Sequence, residues 1–213
     1  MPNLLTTDLF SLSFREFAMK EAVPLATVHT AVLMFLQDRT DTAIFGAQAV
    51  NAYVDQSRMT QHVDIMAVKA ESLAQEICAH LHQTLHLAAR VRSVAGGNSY
   101  RVYQVLKPKN RHLVDIRQVD TLPRCELNDR IQVVEPASLI ALKVISMAAR
   151  SHTPKGLTDQ ADLMRLLMTY PSLKTKSGSV SDRLTEQNVE PPVMQVWYAM
   201  VSTDFQPDDD DAY

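Results

Sequence analysis

The stretch AIFGAQAVNAYVDQSRMTQHVDIM, Ala43–Met66, decides the fold. Thr42 to Gly46 is a short apolar segment bounded by charge and glycine, the pattern of a buried strand. Ala47 to Gln56 returns to helical spacing, so strand and helix meet at a glycine. His62 to Val68 then alternates. Because strand side chains point to opposite faces at every step, His62, Asp64 and Met66 share one face and Val63, Ile65 and Ala67 the other. A strand, a glycine elbow, a helix and a second strand with two polar groups on one face form the local plan.

Outward from this stretch the periodicities stay clear. Phe10 to Glu21 and Thr27 to Gln37 have apolar residues at mixed three and four spacing and are separated by Pro24, which predicts two helices. Ser72 to His86 places Leu73, Ile77, Leu81 and Leu85 on one stripe, an amphipathic helix expected to lie on the sheet. Ala88 to Val94, Tyr100 to Leu106 and Arg111 to Val119 read as three successive strands, joined by turns at Gly96-Gly97-Asn98 and Pro108-Lys109-Asn110. The sheet is thus expected to be mixed, with antiparallel pairs at its later end.

After Pro136 the pattern becomes helical: Ala137 to Arg150, Leu157 to Tyr170, Val180 to Gln187 and Pro192 to Met200, punctuated by Pro171, Pro191 and Pro192. The expected class is α/β (α+β): a mixed sheet flanked by helices, followed by a C-terminal helical region. The boundary falls near Glu135. Residues 1–40 are expected to be helices packing on the core, 41–135 an α/β domain and 136–204 a helical domain. The acidic stretch 205–213, with four consecutive aspartates, reads as a solvated tail.

Composition narrows the function classes. With 213 residues, 46% hydrophobic and 21% charged, the chain can bury a full core. A net charge of -3 gives no global pull toward nucleic acid, although a local basic patch can still supply one. Only five glycines argue against a loop-rich all-β fold. Cys78 and Cys125 have no CxxC spacing, which fits free thiols in a reducing, cytoplasmic compartment. The N-terminus lacks the basic start of a secretory signal, and no apolar run approaches the roughly 20 residues needed to cross a bilayer.

Chemistry concentrates at four positions. Gly46 ends a strand and opens a helix, and backbone N–H groups at a helix start favour a phosphate. His62 and Asp64 emerge on one strand face, and Asp115, within HLVDIRQ, sits on a later strand with Leu113 and Arg117 on its face. Carboxylates clustered on one face repel unless a cation joins them, and Mg²⁺ prefers hard oxygen ligands. Taken singly, each has a plainer reading: a turn glycine, an edge or surface histidine, and an aspartate paired with Arg111, Arg117 or a neighbouring strand.

Order and spacing together resemble the nucleotidyltransferase superfamily, whose motif is Gly followed by Gly or Ser, then after a helix Asp-hydrophobic-Asp, then a third carboxylate on a later strand. More narrowly, Arg58-Met59-Thr60 leading into His62-Val63-Asp64-Ile65 resembles the Arg-x-Thr-x-Asp-hydrophobic-Asp of the AbiEii-type branch, the toxin side of certain toxin–antitoxin pairs. Leu139 to Leu167 also resembles that branch. The resemblance implies that Gly46 and Ala47 approach the triphosphate of an NTP, with Arg58 and Thr60 beside them. It implies that Asp64 and Asp115 hold Mg²⁺ (or Mn²⁺) and that Lys143 and Arg150 neutralise phosphate charge. Asp159 and Asp162 match later acidic positions of the branch, where capping or salt-bridge roles compete. The implied acceptor is a hydroxyl on tRNA, protein or a small molecule, and the implied protein partner is antitoxin-like.

Two positions depart from the pattern. Ala47 stands for the second Gly or Ser, which still permits a tight helix start. His62 stands for the first carboxylate, which removes an anion and makes Zn²⁺ or another transition metal a candidate beside Mg²⁺. Three readings follow: transfer of a nucleoside monophosphate, a catalytically inactive relative that binds a nucleotide or a protein partner, and a structural module.

Overall fold

The structure, a computed structural model, describes residues 23–206. The expected helix Phe10 to Glu21 and the stretch from Pro207 onward lie outside them. The chain divides into two compact units: one runs up to Gln48 and resumes over Arg58–Val133, and the other takes Ala49–Ser57 and the residues from Val134.

The first unit is built on a sheet. Its strands are β1 (Thr42–Phe45), β2 (Val63–Ala67), β3 (Ala89–Val94), β4 (Ser99–Gln104), β5 (Arg111–Gln118), β6 (Cys125–Asn128) and β7 (Ile131–Val134). They lie in the order β3-β4-β5-β2-β1-β7-β6. Helix α1 is Leu25–Leu36, α2 is Gly46–Tyr53 and α3 is Ala70–Leu85. The sheet is mixed as expected: β2 runs parallel to β5 and β1 to β7, whereas β3–β4, β4–β5 and also β1–β2 are antiparallel.

Helix α3 buries the stripe that its sequence predicts. Leu73, Ile77, Leu81 and Leu85 are each at most 1% exposed, and burying such a side chain stabilises the fold by about 1.5–3 kcal/mol. Val63, Ile65, Val102, Val114 and Ile116 are fully buried as well, so one face of the central strands is core. The helix stops at His86, whose left-handed backbone (φ 52°) lets its N–H bond back to the His82 carbonyl.

Between Asp120 and Glu135 the sequence pattern predicts no strand, and the structure has two. β6 and β7 are joined at Asp129 (φ 48°) and Arg130 (φ 68°). Two successive left-handed residues are the geometry of a type I′ hairpin, which normally announces itself as Asn-Gly. Here Asp-Arg fills it, held by a salt bridge from Arg130 to Asp38.

The second unit is helical, with α4 (Pro136–Ala149), α5 (Pro154–Thr169), α6 (Ser179–Glu186) and α7 (Pro191–Ser202). Pro136, Pro154 and Pro191 each sit in a first helical turn, where a missing N–H costs nothing. Leu139, Ile140, Val144, Leu163, Leu166, Leu184 and Trp197 form its core, and the Trp197 indole donates to Ser181 Oγ at 3.0 Å. Among the described residues, no helix is long and apolar enough to cross a membrane.

Candidate metal centre

The parallel pairing of β2 with β5 puts Asp64 opposite Asp115. Register partners on adjacent strands are about 4.8 Å apart and point to the same face, so two carboxylates from distant segments stand side by side. His62 immediately precedes β2, on the face of Asp64. Donor atoms of His62, Asp64 and Asp115 all lie within 4.8 Å of one another, and all three residues are half-buried.

Like charges this close need polar partners, and each carboxylate has one. His62 Nε2 meets Asp64 Oδ1 at 3.2 Å, and Arg101 Nε donates to Asp115 Oδ2 at 3.1 Å. Both partners are polar groups that a cation can replace or reinforce.

Gly46 is required by geometry. Its φ is +70°, and a Cβ there would lie 2.8 Å from Asp64 Cγ and 2.9 Å from Asp64 Cβ. Only a residue without a side chain lets the start of α2 approach the Asp64 carboxylate this closely. The elbow and the acid are therefore one structural feature. Ala47 follows in the first turn of α2. Thr60 Oγ1 donates to Gln48 Oε1 at 3.2 Å, while Arg58 donates to the Met59 carbonyl at 3.4 Å.

Around this centre stand residues that the sequence did not mark. The His112 ring stacks on His62 (centroids 4.5 Å apart, 21°) and on Tyr103 (5.0 Å, 29°). Strict alternation from Asp115 would give the site face to Leu113. Instead the pairing of β4 with β5 shifts between Val102 and Tyr103, so Leu113 is the extra residue of a bulge. Leu113 is fully buried and His112 takes the place beside the site. His112 Nε2 donates to the Val114 carbonyl at 3.0 Å.

His29 of α1 is 8% exposed, and its Nε2 has no hydrogen-bond partner among the described residues. Burial lowers the His29 pKa, and the charge of His62 and then of Arg111 lowers it further. Burial likewise lowers that of His112, again with His62 adding to the effect.

Lys143 and Arg150 belong to a cluster inside the helical unit. Lys143 Nζ donates to Asp159 Oδ1 at 3.0 Å and to Asp162 Oδ2 at 2.6 Å, and Arg150 Nη2 donates to Asp159 Oδ2 at 2.6 Å. For Asp159 and Asp162 the salt-bridge role is therefore the one realised. Gly156 sits where a Cβ would lie 2.8 Å from the Arg150 carbonyl carbon, which lets α5 start close against the end of α4.

No protein-family model matches the sequence, and no curated protein does. Solved structures do. The chain is similar to the Megavirus polyadenylate synthase, with a TM-score of 0.52 and 14% identity over 79% of this chain and 36% of the synthase. The chain thus corresponds to about a third of that protein's length. JHP933 from Helicobacter pylori gives a TM-score of 0.49 at 14% identity over 83% of this chain and 88% of its own. An antigenic nucleotidyltransferase-like protein from Paracoccidioides brasiliensis gives 0.43 at 18% identity, covering 92% of both chains. Only the first likeness is close enough to carry an inference, and at that identity it concerns the fold. The seven-stranded mixed sheet and the helices of this chain have a nucleotidyltransferase-like fold.

Proposed function

We propose that this chain moves a nucleoside monophosphate from an NTP onto a hydroxyl acceptor, using a divalent cation held by His62, Asp64 and Asp115. The observation that carries this reading is the convergence of those three groups within 4.8 Å, against a glycine elbow that no side chain could occupy. Two ligands about 2.1 Å from one ion span at most about 4.2 Å, so a shift of a few tenths of an ångström suffices. One imidazole and two carboxylates suit Mn²⁺ or Zn²⁺ at least as well as Mg²⁺. When bound, the cation supplies charge neutralisation at the phosphates.

The rest falls to the chain. Backbone N–H groups at Gly46 and Ala47 receive phosphate oxygens, with Arg58 and Thr60 flanking them. A bond forms between the acceptor oxygen and the α-phosphorus, the bond from that phosphorus to the bridging oxygen breaks, and pyrophosphate leaves. Asp115 or His62 takes the acceptor proton. The resemblance gives phosphate contacts to Lys143 and Arg150. Within the helical unit both are paired with Asp159.

The test pairs labelled NMP transfer with a thermal-shift screen of the four NTPs in Mg²⁺, Mn²⁺ and Zn²⁺. A ligand that binds only the folded state raises the melting temperature. Asp64→Asn is expected to abolish both signals, and full activity in that variant would refute the assignment.

A specific observation favours a second reading, in which the site binds but does not catalyse. His62 and Arg101 already satisfy Asp64 and Asp115 without an ion. On that reading His62→Asp gains Mg²⁺ affinity that the native chain lacks, and equal affinity in calorimetry counts against it. Membership of the AbiEii-type branch, with an antitoxin-like partner, rests on the Arg58-to-Ile65 and Leu139-to-Leu167 motifs and belongs to the proposal, as does a cytoplasmic location, which rests on the two cysteines without CxxC spacing. So does the partition into an α/β domain and a helical domain.

A further inference from the structure

The face that carries the acidic pair extends across two more strands, β4 and β3, and changes sign. Register partners run Arg92 of β3, Arg101 of β4, Asp115 of β5 and Asp64 of β2 in one row. A second row runs Arg90, Tyr103 and His112, and His112 stacks on His62. Two tracks thus converge on the same acids: one of charge, one of rings. From Arg92 to Asp64 the charged row covers three strand spacings, roughly 14 Å.

Several features of this face are costly without a ligand. Arg92 lies directly opposite Arg101, and like charges facing each other across a strand pair destabilise it. Arg101 is offset by Asp115, but Arg90 and Arg92 are exposed and make no ion pair among the described residues. Arg117, also exposed, lies on the same face with its guanidinium over the Phe45 ring at 4.9 Å. Four arginines on one sheet face of a chain with net charge -3 are a local concentration, not a reflection of composition.

We propose that this face binds single-stranded nucleic acid, with backbone phosphates on Arg90, Arg92 and Arg101 and an unpaired base against Tyr103. The strand's terminal hydroxyl is thereby delivered to Asp115. This rests on the transfer reading and names its acceptor. Arginine presents a planar fork that matches phosphate oxygens. Aromatic rings interleaved with cations are how proteins hold unpaired bases without sequence preference. A duplex keeps its bases stacked inside and cannot use the rings, which is why the strand must be single.

The test uses fluorescein-labelled 12-mers of RNA and of DNA, single-stranded and as duplexes, read by anisotropy between 50 and 200 mM salt. Native protein is expected to bind at least one single strand and to prefer it to its duplex. Arg90→Gln with Arg92→Gln is expected to weaken binding about ten-fold and to flatten the salt slope by about 1.4, the share of two phosphate contacts. Tyr103→Leu should weaken binding by about ten-fold with the slope unchanged. Arg90→Lys with Arg92→Lys keeps the charge and should keep the slope. No binding at 50 mM salt, a duplex bound as tightly as a single strand, or an unchanged slope in the glutamine variant would overturn the proposal. So would a slope lost equally in the lysine variant. NTP-induced stabilisation is a separate readout, so the acceptor track and the nucleotide site can fail independently.

Discussion

Two pairs of aspartates in this molecule are set against cations in opposite ways. Asp159 and Asp162, with side chains 6% and 0% exposed, are clamped by Lys143, itself 9% exposed. Asp64 and Asp115, 21% and 23% exposed, face a histidine and an arginine that are themselves open to solvent. In the first pair the carboxylates and the ammonium are sealed from water, and their desolvation is offset by each other and by Arg150, Ser146 and Arg165 at the edge of the cluster. In the second, a ligand can enter and exchange partners. The same residue type is thus a structural lock in one unit and a candidate centre in the other, and burial makes the difference.

Breaking the lock should give the largest effect. Lys143→Met removes the one cation shared by the two buried carboxylates, leaving Asp159 to Arg150 and Ser146 and Asp162 to Arg165, and a loss of about 3 kcal/mol is expected in denaturant unfolding. Asp64→Asn, applied to the open pair, should change stability by no more than about 0.5 kcal/mol. Comparable losses in the two variants would erase the distinction drawn between the pairs. Next in size is Gly46→Ala, which forces a side chain into a left-handed backbone and against Asp64. About 1–3 kcal/mol should be lost, together with any metal-dependent thermal shift. An unperturbed variant would mean that the elbow is looser than its geometry indicates.

The smallest expected effect sharpens the comparison through pH. His29 and His112 have folded-state pKa values below the unfolded value near 6.5, chiefly because of burial. The unfolded chain therefore binds protons first as pH falls. The contribution of these two rings is fully present above about pH 7 and is lost as pH drops through the unfolded value toward the lower folded values. Melting temperatures measured between pH 7.5 and 5.5 should fall, and His29→Gln should fall less steeply. An identical slope in that variant would remove His29 from the titrating set.

The sequence exposed the parts of the fold that are local. The alternation His62-Val63-Asp64-Ile65, the leucine stripe from Leu73 to Leu85 and the prolines at 136, 154 and 191 each encode their element within a few residues. The acidic face was legible because Asp64 and its histidine lie two residues apart at the start of one strand. What stayed hidden is set by pairing. β6 and β7 are four residues each, turn on Asp-Arg in place of glycine, and depend on a distant partner in β1. His112 reaches the site only because a bulge at Leu113 reverses the alternation, and Arg101 is placed by the register of β4 on β5. A better clue was available in the spacing of Arg90, Arg92, Arg101 and Tyr103, alternate positions on two strands joined by a glycine turn.

The parallel contact of β2 with β5 also has a kinetic consequence. Asp64 and Asp115 meet only after a loop of roughly fifty residues closes, a long-range event whose entropy must be overcome before the pairing rewards it. The centre should consequently be absent from early folding intermediates and complete only near the native state. An ion or nucleotide captured there would then retard unfolding while leaving the refolding rate almost untouched.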